Sequence, residues 1–196
     1  MADFRALKSV SEAVINMLHI NYDSNDFNNN LEFKVFTSKD FTANTITNGV
    51  SLFPYRIYVD GSRRTPPGRI DEDGRVLQSG LPVDLHFLVT VWGQDASLQN
   101  TLAGWVMRTL EDNPILNSTI LNSNNPGVFN HDETVQICLA ELRTEDLFRI
   151  WDVLGVNIYQ LSIPYVARVI DIDSIQTTYV EEGELVQERN LKYFRV

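Results

Sequence analysis

The chain opens on apolar residues stepping by three and four, Leu7, Val10, Val14 and Met17 with Leu18, which is the period of an amphipathic helix. Asp3 stands where a side chain would cap its first turn. Three runs rich in β-branched and aromatic residues follow, at Leu31–Thr37, Val50–Asp60 and Val83–Trp92. The third sets Val83, Leu85, Phe87, Val89 and Val91 on one face against Asp84, His86 and Thr90 on the other, the alternation of a strand. Pro54 has no N–H for a ladder, so the second run is predicted to lie at an edge or to carry a bulge. Asp95–Asp112 reads as a second helix, with Leu98, Leu102, Trp105, Val106 and Thr109 on one face. Asn113-Pro114 stops it, because proline disfavours helix in the residue before it. Thr134–Leu142 reads as a strand, and Thr144 as the cap of a short helix with Glu145 and Asp146 in its first turn. Leu147, Phe148, Trp151 and Leu154 form the stripe of that helix, Gly155 ends it, and Tyr159–Ile172 supplies the last long strand.

The resulting order α-β-β-β-α-β-α-β predicts an α+β fold. We expect a mixed or antiparallel sheet of four to five strands, with two or three helices packed on it, over residues 1–174. Two asparagine-rich stretches, Asn21–Asn30 and Asn117–Asn130, read as loops, since asparagine competes with helical hydrogen bonding. The run from Gly61 to Gly68, which holds Arg63 and Arg64, reads as an exposed loop beside the proline-marked strand. Residues 175–196 mix charge with apolar side chains, ending on Leu191, Tyr193, Phe194 and Val196. They are read as a C-terminal extended arm, docked on a neighbouring subunit or folded back on its own domain.

A length of 196 residues is enough for one domain that buries about 70% of its unfolded surface, with no need of disulfides or a metal. Sixteen basic against twenty-six acidic residues give a net charge of −10, which argues against nucleic acid and against an anionic membrane surface as partners. The one cysteine, Cys138, leaves neither a disulfide framework nor a multi-cysteine zinc site. The N-terminus has no basic run followed by an apolar core, and no stretch approaches the about 20 apolar residues of a membrane span. Synthesis in the cytoplasm is the expectation.

Candidate chemistry is sparse. The sequence contains no P-loop, dinucleotide fingerprint or nucleophile elbow. His19, His86 and His131 are far apart in sequence. His131-Asp132-Glu133 reads as a solvated turn rather than a metal site, and His86 as a hydrogen-bonded residue under a helix rather than a general base. Cys138 has no cationic neighbour in its strand and reads as buried. Trp92, Trp105 and Trp151 read as core rather than as a stacking platform. The residues thus give no catalytic, cofactor or metal set, and the expectation is a protein that is not an enzyme.

From Leu81 onward the chain carries a longer pattern. It runs through Leu81-Pro82-Val83-Asp84-Leu85-His86-Phe87-Leu88-Val89-Thr90, then Leu102-Ala103-Gly104-Trp105-Val106-Met107 and Leu110-Glu111-Asp112-Asn113-Pro114-Ile115-Leu116. Glu141-Leu142, Leu147, Trp151, Leu154-Gly155, Tyr159-Gln160-Leu161-Ser162 and Ile170-Asp171-Ile172-Asp173-Ser174 continue it. Over residues 1–174 this order resembles the tail-cap or terminator family of extracellular contractile injection systems, of the antifeeding-prophage and Photorhabdus virulence cassette type. Glu111 replaces a histidine of the family pattern, and the loop from Asn117 to Asp132 is long.

The resemblance implies a structural protein that needs no cofactor: a ring, expected to be a homohexamer, on the baseplate-distal end of an inner tube. Its partners would be itself, the tube protein and the sheath protein. It would assemble in the cytoplasm and be carried in an extracellular particle. Arg63, Arg64, Leu191, Tyr193 and Phe194 are the residues expected at subunit or sheath contacts. A phage tail-completion protein at a head–tail junction, and a small-ligand-binding or enzymatic domain, are the alternatives.

Overall fold

A computed structural model describes residues 2–27, 30–43, 46–64, 69–70, 76–77, 80–154 and 159–174. The first half contains α1 (Ala6–Ile20), α2 (Ser24–Phe27), β1 (Glu32–Val35), α3 (Ser38–Thr42), β2 (Gly49–Val59), β3 (Arg69–Ile70), β4 (Val76–Leu77) and β5 (Leu81–Trp92). The second half contains α4 (Ala96–Asp112), β6 (Ile115–Asn117), α5 (Ser118–Leu121), β7 (Thr134–Leu139), α6 (Thr144–Val153) and β8 (Ser162–Ile172). Six strands form one sheet in the order β1-β2-β5-β8-β7-β6, and β3 with β4 makes a separate two-stranded ribbon. Among the described strands of the main sheet β1 and β2 pair in parallel and the others antiparallel, so the sheet is mixed.

The α+β class is as expected, but the sheet has six strands where four to five were expected. The additional β6 is three residues long and lies directly after the Asn113-Pro114 stop. The helices beyond the expected two or three are the single turns α2, α3 and α5. They are held by side chains rather than by periodicity. Thr37 and Asp40 close a capping box on α3, and Asn117 accepts the Ile120 N–H at 3.0 Å to start α5. Asp3 does not cap α1 directly. Its carboxylate accepts the Arg5 N–H at 2.7 Å, and its backbone carbonyl takes the Ala6 N–H at 3.0 Å, which shapes the turn into the helix.

The apolar face of β5 (Val83, Leu85, Phe87, Val89, Val91) meets Val10, Val14 and Leu18 of α1 and Leu102, Val106 and Leu110 of α4 in the main core. On the opposite face a second, aromatic core gathers Phe36, Phe41, Ile46, Trp92, Trp151 and Leu154. Phe41 is its hub, with ring centroids 5.2 Å from Phe36, 5.2 Å from Phe53 and 5.4 Å from Trp151. Two polar pairs lie in this layer: Thr90 and Ser162 hydroxyls are 2.9 Å apart, and the Trp92 indole donates to Ser51 Oγ at 2.8 Å, whereas the buried Trp151 indole N–H has no partner among the described residues. Trp92 and Trp151 are core residues as expected, while Trp105 is half-buried among Tyr22, Phe27 and Phe33.

The asparagine-rich stretch after α4 is packed rather than loose. The Asn122 amide donates to the Phe129 carbonyl at 2.8 Å, while its oxygen accepts the Val128 N–H at 3.1 Å and the Phe129 N–H at 2.9 Å. Asn125 donates to Glu12 on α1 at 2.6 Å, and Ser9 of α1 bonds the Leu121 carbonyl. This side-chain bonding lets Val128 and Phe129 stay buried without a regular element around them.

At the start of β2, Gly49 has φ +152° and lies against β1, where a Cβ would sit 2.0 Å from the Glu32 carbonyl oxygen. We expect Gly49→Ala to cost on the order of 3 kcal/mol by forcing β1 off β2. Urea denaturation compared with the parent protein measures this, and an unchanged midpoint would contradict it.

Candidate functional site

Three strands, β2, β5 and β8, finish together at one end of the sheet, since Val59 pairs with Val83 and Ile172 with Leu81. Several short-range bonds organise this end. Asp60 accepts the Ser62 N–H at 3.0 Å and its hydroxyl at 2.6 Å, fixing the turn after β2. From that turn Arg63 reaches past β5 to pair with Asp171 on β8 at 2.6 Å. On the far side of β8, the Ala2 N–H donates to the Asp171 carbonyl at 2.8 Å, and the Asp173 N–H returns to the Ala2 carbonyl at 2.7 Å.

Toward this end the sheet face outside the aromatic core turns polar. It carries Arg56 and Tyr58 from β2 opposite His86 and Asp84 of β5. The Arg56 guanidinium lies 4.7 Å from the Tyr58 ring centroid, and the Tyr55 and His86 rings are 6.1 Å apart, edge to face. Opposite Asp84, β8 bulges: Ala167 pairs with Leu85 and Ile170 with Val83, leaving Arg168 and Val169 between. Val169 takes a φ of 69°, a left-handed conformation that is costly for a β-branched side chain. Burial raises the Asp84 carboxyl above its ordinary range, opposed chiefly by Arg168. Burial, then Arg56, holds the His86 imidazole below its ordinary range, with Asp84 opposing. His86 was expected under a helix; it lies half-buried on the polar face, away from α1 and α4.

The sheet edge beside α1 is the other distinctive surface. β1 covers β2 only from Gly49 to Leu52, although β2 continues to Val59. Past the end of β1, a groove of about 480 Å³ opens between Leu7 and Ser11 of α1 and Phe53, Pro54 and Ile57 of β2. Pro54 lies just beyond the last β1 pair, and the register shifts between Pro54 and Arg56. The edge and the bulge, the two settings expected for this proline, thus occur together.

Of the residues expected at contacts, Arg63 is engaged with Asp171 inside the chain, and Arg64 next to it is exposed. Leu191, Tyr193 and Phe194, with the whole of 175–196, lie outside the described residues. Cys138 is half-buried on β7. His131 accepts the Ser118 hydroxyl on its backbone carbonyl, and Glu133 accepts the Asn130 N–H, so this cluster shapes a turn. Among the described residues no three His, Cys, Asp or Glu side chains gather as a metal would require, and no helix is long and apolar enough to cross a membrane. The groove was missed in the sequence, although its signal was present. The run at Val50–Asp60 is longer than its partner at Leu31–Thr37, and it holds a proline after its fourth residue.

What these elements present is a set of surfaces: a closed sheet end, a polar face and an open edge. Solved structures share this fold. The chain superposes with a TM-score of 0.60 on the sheath/tube terminator of the extracellular contractile injection system PVC in its extended state, at 19% identity, covering 94% of this chain and 65% of that one. It superposes equally, at 0.60 and 19% identity, on the tube-terminating cap of the anti-feeding prophage AFP, covering 91% of this chain and 59% of that one. The chain therefore spans somewhat less than two thirds of the length of either. The family model of the Pvc16 N-terminal domain matches residues 9–187, and the chain belongs to that family. No curated protein sequence matches it.

The paired shifts at Asp84 and His86 have opposite signs in stability. His86 binds its proton less tightly when folded, so its contribution is present at neutral pH and is lost as pH falls below the unfolded value of 6.5. Asp84 titrates higher when folded than its unfolded 3.8, so stability is regained as pH falls through the raised value. We expect His86→Gln to flatten the loss of stability between about pH 7 and pH 5, read from urea midpoints across that range. A slope equal to that of the parent would refute the assignment.

Proposed function

We propose that this protein is a structural terminator of a contractile injection system. In this reading it forms a hexameric ring on the baseplate-distal end of the inner tube, stops growth of tube and sheath, and anchors the last sheath ring. The observation that carries the reading is the fold shared with the PVC terminator over 94% of this chain, together with the family match. A growing tube exposes a ring of unsatisfied surface, and a terminator matches that face while presenting an inert one beyond it. The role is one of shape and contact, with no reaction. Assembly takes place in the cytoplasm, and the ring leaves as part of an extracellular particle.

Residues 1–174 form the ring-building domain, and residues 175–196 form an arm that carries Leu191, Tyr193 and Phe194 to a subunit or sheath contact. Six chains bring 6 × −10 = −60 formal charges into one ring, so cations at the interfaces must offset self-repulsion. The exposure of Arg64 at the sheet end, beside the Arg63–Asp171 pair, supports this role for it.

Deleting the gene is expected to yield tubes and sheaths of irregular length, or few intact particles, by negative-stain imaging. Uniform particles in normal number would overturn the reading. Arg64→Glu is expected to weaken the ring at low ionic strength and less so at high, while the monomer stays folded. Sedimentation at two salt concentrations measures this, and an unchanged oligomer at low salt would remove Arg64 from the interface.

A further inference from the structure

The open edge of β2 has a definite hydrogen-bonding polarity. The Asp60 N–H donates to the Pro82 carbonyl at 3.0 Å, so Asp60 faces β5. Ladder groups alternate along an antiparallel strand. Tyr58 therefore also faces β5, and Ile57 and Val59 turn their N–H and C=O groups outward. At the other end of β2 the Leu52 carbonyl is on this outer side, where it accepts the Phe36 N–H at 2.8 Å. Pro54 falls next in the outward row, where its missing N–H costs no bond to β5. No described strand pairs with the outward groups of Ile57 and Val59, and Ile57, Tyr58 and Val59 are 55%, 53% and 44% exposed. The row runs beside the groove that Leu7, Phe53, Pro54 and Ile57 line.

We propose that this edge is the acceptor for residues Leu191–Val196 of a second copy of the chain, which add there as a strand in line with β1. The proposal rests on the ring reading above and names the joint between subunits. The donor has the right character: Leu-Lys-Tyr-Phe-Arg-Val is apolar at four of six positions and carries Lys192 and Arg195 with no acid, on a chain of net charge −10. Side chains alternate along a strand, so Phe194 and Val196 share one face, and that face fills the groove. Residues 175–190 lie between Ser174 and the donor and can span on the order of 50 Å, ample to reach a neighbour. The Asp60–Arg64 turn, tied by Arg63 to Asp171, stands at the end of the sheet between β8 and the chain's own edge. A donor at one place and an acceptor at another make a head-to-tail contact, the kind that closes into rings.

The test is a cysteine pair in a Cys138→Ser background, read in purified full-length protein mixed from ¹⁴N- and ¹⁵N-labelled stocks. Ile57→Cys is combined with Phe194→Cys, and separately with Tyr193→Cys, whose side chain falls on the opposite face of the added strand. After mild oxidation the proposal requires disulfide-linked peptides that join one light and one heavy chain. It also requires that the 57–194 pair form in severalfold excess over 57–193. Linked peptides of a single isotope would place the strand on its own domain and overturn the proposal. So would no link, or equal yields from both pairs. Val59→Pro, which removes an outward N–H without touching the β5 ladder, is expected to lower the 57–194 yield severalfold. The assay reads where the segment docks and not whether tubes end, so the terminator reading stands or falls separately, on the gene deletion.

Discussion

Burial of β5 on both faces is the constraint from which the rest of the structure follows. From Phe87 to Trp92 every residue is buried, with one face against α1 and α4 and the other in the aromatic layer. A strand covered on both faces and paired along both edges fixes its neighbours, because a slip of one residue would exchange its two sets of side chains. β2 and β8 take their registers from it on either side. The two bulges, at Pro54–Arg56 on β2 and at Arg168–Val169 on β8, both occur beside the half of β5 where cover is thinner. There Asp84 and His86 replace apolar residues. The polar face thus begins where the aromatic layer ends.

The same logic explains why a chain of this acidity can fold as one unit. Its charges are kept out of the two cores and used at the periphery, in short-range pairs such as Arg63 with Asp171 and Lys8 with Glu12. Pairs of this exposure contribute at most about 1 kcal/mol each; Lys8 with Glu12 lies within α1, and Arg63 with Asp171 ties the turn after β2 to β8. Stability comes from the apolar layers, and loop order from amides such as Asn122, which binds three backbone groups.

Much of this was legible in the sequence because it is periodic. The α1, α4, β5 and β8 patterns each bury a regular set of positions, and regular burial leaves a regular trace. Caps were legible only to within a residue: Asp95, read as the first residue of its helix, is the cap and accepts the Leu98 N–H at 2.8 Å, whereas Thr144, read as a cap, is the first residue of α6 behind Arg143. The elements that escaped, β6 and the single-turn helices, are too short for any period; α3 and α5 are held by side chains three residues away, and β6 by its pairing with β7. The packing of the asparagine-rich stretch escaped because it needs distant partners, such as Glu12 for Asn125, across more than a hundred residues of sequence. The open edge escaped because it is a mismatch between two strands, visible only once β1 is seen to stop at Val35. Asp84 and His86 were legible as the polar side of β5, but read alone they give no hint of Arg56 and Arg168 beside them.

The pairing of Ala2 with the end of β8 has a practical consequence for handling the protein. Ala2 is buried and bonded to both Asp171 and Asp173. Anything placed ahead of it emerges close to the point at which the chain leaves Ser174. An affinity tag or fluorescent fusion at the front would therefore crowd the corner at which Ser174 lies. The exposed Asn30 precedes β1 at the opposite end of the sheet, where Glu32 pairs with Gly49 and Gly49 with Trp92. It offers an attachment point well away from that corner.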